Sequence, residues 1–266
     1  MTAVRSGVMS ASPPGSDCYR RPPIHRLVLW NIDLTLLDVA RVSRSAYADA
    51  FGQVTGRPLV ALPQMAGRTD SEIFFEALAL NEVASGPAVA GDQELLARYI
   101  AALAKAFASR RALLPQQGRL LSGAREAVAA SARLPGVVQS VLTGTIRPNA
   151  AQKLRAFDLE QFFDLDIGGY GSEIYPMGAL LLRSRGRAGE KYGTEFGEDA
   201  TVYIADSHRD VEAARMGGAR CIAVASGRST AGDLREAGAD LVISDLTDTA
   251  AIVTAIEALT TSVTAR

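Results

Sequence analysis

The chain has 266 residues, 48% of them hydrophobic and 21% charged, so it can bury a sizeable core as one large domain or as a core with a smaller insert. Its 28 basic and 29 acidic side chains leave a net charge of −1 with no basic run, which argues against a nucleic-acid surface. Two cysteines, Cys18 and Cys221, are too few for a disulfide framework; no apolar run reaches membrane-spanning length and no apolar signal segment opens the chain, so a cytoplasmic protein is expected.

Residues 1–23, rich in Ser, Pro, Gly and Arg without periodicity, are expected to form a disordered leader. Short apolar runs then predict strands at Leu27–Ile32, Val137–Leu142, Leu165–Ile167, Thr201–Ala205, Cys221–Ala225 and Leu241–Ile243. Amphipathic stretches predict helices at Ser122–Ala132, Asn149–Phe157, Gly178–Ala188, Asp210–Met216, Thr230–Ala237 and Thr249–Leu259. Continuous apolar strands alternating with helices indicate an α/β fold, a Rossmann-like parallel sheet covered on both faces. The stretch between the first two strands is too long for one crossover helix. Its segments Val42–Val54, Ser71–Leu80 and Gln93–Arg110 repeat apolar residues at helical spacing. They predict an inserted α-helical cap over 40–115, on a core made of 24–39 and 116–266.

Parallel sheets bind ligands in the crevice beyond the carboxyl ends of their strands. Polar clusters at 31–35, 143–147 and 206–210 each follow a predicted strand, so they should converge there. The first is Asn31-Ile32-Asp33-Leu34-Thr35, the second Thr143-Gly144, and the last Asp206-Ser207-His208-Arg209-Asp210. A histidine in that last loop is a candidate acid or base, although a surface His208 bonded to a neighbouring carboxylate is the favoured reading of the sequence.

These segments, in this order and spacing, resemble the haloacid dehalogenase (HAD) superfamily, in its phosphoglycolate-phosphatase-like branch with a helical cap. Ala66-Gly67-Arg68-Thr69-Asp70 is similar to a cap segment of that branch, and Gly171-Ser172-Glu173-Ile174-Tyr175-Pro176-Met177-Gly178 to its third motif. The resemblance implies that Asn31 stands where the family has its nucleophilic aspartate, and Leu34 where it has glycine. It implies that Thr143 contacts a transferring phosphoryl group and that Asp33 is the general acid/base. Met177, or a neighbour, takes the place of the family's Lys or Arg; Lys153 reads as an ordinary residue of the helix after Thr143, with recruitment of Lys153 or Arg183 as the lesser alternative. Thr35, Arg68, Tyr175, Met177 and Arg147 are candidate substrate contacts. Asp206 and Asp210 remain for Mg²⁺, which usually rests on one or two carboxylates and is expected to bind weakly or not at all.

Losing an anion and its cation together would leave a neutral pocket floor, and burial of Asp33 away from a cation would suit it to proton transfer. The leading expectation is a small-molecule enzyme repurposed from phosphatase chemistry to metal-independent dehydration, cyclisation or isomerisation in specialised metabolism. The alternatives are a non-catalytic ligand-binding or regulatory protein and a residual Mg²⁺-dependent phosphatase. The partner is a small molecule in each case, and the oligomeric state stays open.

Overall fold

The computed structural model describes residues 25–83, 89–173 and 176–260. The expected leader at 1–23 and Tyr175 lie outside the described residues.

The chain enters as strand β1 (Arg26–Trp30), makes a short strand β2 (Leu37–Asp38), and then three helices, α1 (Ala40–Thr55), α2 (Asp70–Leu80) and α3 (Val89–Ala108). A short helix α4 (Leu114–Gln117) and strand β3 (Arg119–Leu120) return it to the core, where β3 pairs antiparallel with β2. There follow α5 (Ala124–Ser131), β4 (Val137–Thr143), α6 (Arg147–Ala156), β5 (Gly169–Tyr170) and α7 (Met177–Tyr192). The last elements are β6 (Thr201–Ala205), α8 (His208–Gly217), β7 (Arg220–Val224), α9 (Ala231–Glu236), β8 (Leu241–Ile243) and α10 (Thr249–Leu259).

Six strands form one sheet in the order β5-β4-β1-β6-β7-β8, with every pairing parallel. Alternation along β1 explains why the strand is apolar throughout. Leu27 and Leu29 enter a core with Leu180 of α7 and Ala214 of α8, whereas Val28 and Trp30 enter a second core with Val128 of α5 and Ile256 of α10. Trp30 is fully buried and its indole N–H donates to Gln139 Oε1 at 2.9 Å, so its polar edge is satisfied.

The α/β fold and inserted cap agree with expectation, but three local details differ. The strand expected at Leu165–Ile167 begins four residues later, as the two-residue β5. Ser140 Oγ donates to the Asp164 carbonyl at 2.6 Å and Tyr170 Oη to the Leu165 carbonyl at 2.6 Å, so side chains take the place of a ladder there. The β2–β3 pairing joins segments far apart in the chain and has no signal in either short sequence. Helix α7 runs on to Tyr192 and stops at Gly193, whose φ of +65° suits a residue without a Cβ.

In the cap, α1 packs along α3, and Phe74 of α2 stacks on Tyr99 of α3 with ring centroids 4.0 Å apart. Thr69 opens α2 with a capping box to Glu72. That helix start also touches the core: Asp70 N–H donates to the Gly144 carbonyl at 2.7 Å, and Ser71 Oγ to the Gly171 carbonyl at 3.0 Å. A Cβ on Gly144 would collide with the Arg68 carbonyl, so glycine permits the cap to seat this closely.

Candidate active site

A cavity of about 410 Å³ lies between the cap and the carboxyl ends of β1, β4 and β6. These strands are neighbours in the sheet, which is why residues more than a hundred positions apart meet at its floor.

Asn31 follows β1 and is 8% exposed. The Ile32 N–H donates to its Oδ1 at 2.8 Å, which fixes which way the amide faces. Its Nδ2 then donates to Asp206 Oδ1 at 3.0 Å and to the Asp33 carbonyl at 3.2 Å. Thr35 Oγ1 donates to the same Asp206 oxygen at 2.7 Å. An amide NH₂ thus bridges the Asp33 carbonyl and the Asp206 carboxylate, one of the two carboxylates that the family resemblance leaves for Mg²⁺. Asp210 has an acceptor role already, taking hydrogen bonds from Ser207 Oγ and from Tyr203 Oη at 2.9 Å. Among the described residues no group of three or more His, Cys, Asp or Glu side chains is placed to hold a metal ion. A donor set with an amide nitrogen facing inward and one available carboxylate fits Mg²⁺ poorly, because that ion requires several hard oxygen ligands.

The expectation of a cation-free floor is overturned. Lys153 of α6 reaches Asp33 Oδ2 at 2.6 Å and Thr145 Oγ1 at 2.9 Å, and Thr145 Oγ1 lies 3.0 Å from the same Asp33 oxygen. The Lys153 side chain is 4% exposed and that of Asp33 36%. Asp33 therefore does not stand apart from a positive charge. Met177 is buried and lines the cavity, but the charge comes from another helix.

The cap contributes Asp70, which is buried and holds Tyr47 Oη on one oxygen and the Ile146 N–H on the other, the latter at 2.8 Å. Burial pushes the Asp70 carboxyl up to about 6, against the opposing pull of the Tyr47 hydrogen bond and the Lys153 charge. Asp206 is pushed up to about 7 by burial and by the Asp210 charge, while bonds from Thr35 and Asn31 oppose the shift. Burial likewise raises Asp210.

These shifts carry a stability prediction. Unfolded aspartate titrates near about 3.9, so between there and their folded values both groups hold protons that the unfolded chain has released. Their contribution is fully present below about pH 4 and is lost as pH rises through about 6 and about 7. Thermal unfolding should show a melting temperature that declines across this range, and Asp70→Asn should remove a share of roughly 3 kcal/mol. A wild-type slope kept intact in that variant would show that Asp70 is not responsible.

Other candidates fall elsewhere. His208 is exposed, opens α8 and has Nδ1 3.3 Å from Ser229 Oγ, outside the cavity lining. The expected surface position holds, but the partner is the Ser229 hydroxyl in place of a neighbouring carboxylate. Arg147 pairs with Asp166 at 2.5 Å and lies over the Tyr170 ring, also outside the lining, so it is not placed to draw an anion into the cavity. Thr35 turns its hydroxyl to Asp206 and does not line the cavity. Thr143 and Arg68 do line it; Thr143 Oγ1 accepts from the Thr145 N–H at 3.2 Å, and Arg68 pairs with Glu76. Leu34 adopts φ +62°, the conformation glycine would take without steric cost, and Ser226 Oγ holds its carbonyl at 2.6 Å.

A parallel sheet with an inserted helical cap over a floor of Asn31, Asp33, Thr143 and Asp206 defines a HAD-type architecture. The chain belongs to the haloacid dehalogenase-like hydrolase family: that family model matches residues 28–215, and a HAD-hydrolase-like model matches 182–249. A predicted phosphatase from Clostridium acetobutylicum is similar in structure, with TM-score 0.62 and 15% identity over 87% of this chain and 99% of that one. A putative beta-phosphoglucomutase from Bacteroides vulgatus has TM-score 0.61 and 16% identity over 90% and 91%. CbbY from Rhodobacter sphaeroides, solved in complex with phosphate, has TM-score 0.56 and 19% identity over 84% and 95%. At these identities the likeness concerns the fold. No curated protein matches the chain.

Proposed function

We propose that this HAD-family chain is a small-molecule enzyme that moves protons with Asp33 and Lys153 and does not form an aspartyl-phosphate. The observation that carries this reading is the division of labour at the floor. The Asn31 amide binds Asp206 and the Asp33 carbonyl, whereas the Asp33 carboxylate faces Lys153 and Thr145 within the capped cavity. An amide is neither a nucleophile of the required strength nor a charge to hold Mg²⁺.

In this scheme the Asp33 carboxylate takes a proton from the ligand, Lys153 stabilises the negative charge that develops on a ligand oxygen, and the proton on Asp33 returns at another atom or to a leaving hydroxyl. Dehydration, cyclisation and isomerisation all balance in this way without metal or oxidant. A place in specialised biosynthesis, in the cytoplasm, belongs to the same proposal.

The test is incubation of the protein with a metabolite extract, followed by mass spectrometry and a phosphate assay with and without Mg²⁺. The expected result is a metabolite converted at unchanged mass or with loss of water, with no phosphate released, and conversion abolished in Asp33→Asn. Mg²⁺-dependent release of phosphate by the wild type would replace this reading with residual phosphatase activity. A metabolite that raises the melting temperature without being consumed would replace it with ligand binding alone.

A further inference from the structure

The cavity is amphiphilic, and most of its apolar lining comes from a different part of the chain than its polar floor. The loop between α1 and α2 supplies Leu59, Leu62, Pro63 and Met65, and α2 adds Ile73. Asn31, Asp33, Thr145 and Lys153 come from the core. Three cap side chains that line the cavity, Tyr47, Asp70 and Arg68, are committed within the cap or to the core backbone, whereas the Ser43 hydroxyl is buried there with no hydrogen-bond partner among the described residues. Tyr47 Oη donates to one oxygen of Asp70, and the other Asp70 oxygen accepts from the Ile146 N–H, so the Tyr47 hydroxyl is directed at Asp70; Arg68 pairs with Glu76. Arg44 and Arg228 are exposed.

Charge at the floor disfavours a phosphate group. Lys153 is the one buried cation among the described cavity-lining residues, and it is already paired with Asp33. A phosphate beside it would also face the carboxyl groups of Asp206 and Asp210, with the neutral Asn31 between. A neutral oxygen acceptor meets no such opposition. An ammonium group has three N–H donors, and two of those on Lys153 go to Asp33 and Thr145. A carbonyl oxygen can take the remaining one, beside a carboxylate suited to remove a proton from the adjoining carbon.

We propose that the cavity takes a neutral carbonyl compound with an apolar body, its oxygen at Lys153 and its body against the loop that carries Leu62 and Met65. This rests on the acid/base reading above and adds the substrate class. Pockets of this size and lining enclose most of the surface of a compact organic ligand.

The experiment is a calorimetric titration of the full chain with straight-chain methyl ketones from butanone to nonanone, alongside inorganic phosphate and glucose phosphate. Each added methylene should tighten binding by about fourfold until the wall is reached. The double substitution Leu62→Gln with Met65→Gln should flatten that dependence; both residues lie in a partly exposed loop, and circular dichroism checks that the variant is folded. If it is not, the wild-type series still decides. Affinity independent of chain length, or phosphate or glucose phosphate binding more tightly than nonanone, overturns the proposal. Asp33-dependent conversion of a metabolite together with a flat ketone series would sink the substrate class alone. Mg²⁺-dependent phosphate release would sink the acid/base reading with it.

Discussion

Asn31→Asp should lose about 3–5 kcal/mol of stability in Mg²⁺-free buffer above about pH 8, the cost of an uncompensated charge in a buried pair. The wild-type amide donates to Asp206 Oδ1 at 3.0 Å, so the substitution sets two carboxyl groups against each other where one was solvated by an N–H. Like charges that close cannot both ionise, and one proton must stay on the pair. Burial and the Asp210 charge already hold the Asp206 carboxyl well above the usual carboxylate range, so falling pH supplies the proton the pair needs and the penalty shrinks. The loss should therefore grow with rising pH. Two carboxylates beside the Asp33 carbonyl form a donor set of the kind Mg²⁺ accepts, so the variant should regain stability with the ion, by about 2.7 kcal/mol at a hundred times its dissociation constant. Wild-type protein should show no such gain. Thermal unfolding of both proteins at two pH values, with and without Mg²⁺, checks all of this; a wild-type chain stabilised by Mg²⁺ as strongly as the variant would refute the account of the floor.

The sheet was legible because its strands are apolar on both faces and end in polar clusters. The sequence alone brings Asn31, Thr143 and Asp206 to one crevice, since parallel strands present their carboxyl ends together. Lys153 is less legible, because the spacing of apolar residues in α6 alone describes no more than a helix covering the sheet. The signal was nonetheless there: Asn149, Ala150, Lys153 and Leu154 form one buried stripe, so the lysine occupies a core-facing position that only a partner could justify. Asp70 was hidden by its neighbours, for Thr69 and Glu72 announce a helix start that also explains an acidic residue. Its contacts with Tyr47 and Ile146 depend on how the cap seats, which no local pattern encodes. His208 misled for the opposite reason. Its place between two aspartates in a loop suggested chemistry, yet as first residue of α8 it faces outward, and Ser207 and Asp210 turn in.

Lys153→Met should remove turnover by roughly two to four orders of magnitude, the range in which a positioned proton-transfer group contributes. The methionine retains much of the side chain's bulk in a site that is 4% exposed, so the packing of α6 against Phe107 should survive while the charge goes. Asp33 would lose its partner, but its side chain is 36% exposed, and water can solvate much of what the ammonium no longer does. The stability cost should accordingly fall nearer about 1 kcal/mol than the larger penalty of a fully buried pair. Lys153→Arg keeps the charge but presents a planar fork to a site built around one ammonium, so partial activity with altered pH dependence is expected. The decisive comparison is the double variant Asp33→Asn with Lys153→Met. With no charge left unpaired, it should be more stable than the Lys153→Met single variant, yet remain inactive. Activity in the double variant, or a Lys153→Met protein that turns over at the wild-type rate, would remove the pair from the mechanism. Stability that drops additively across the cycle would show instead that the two side chains are not coupled.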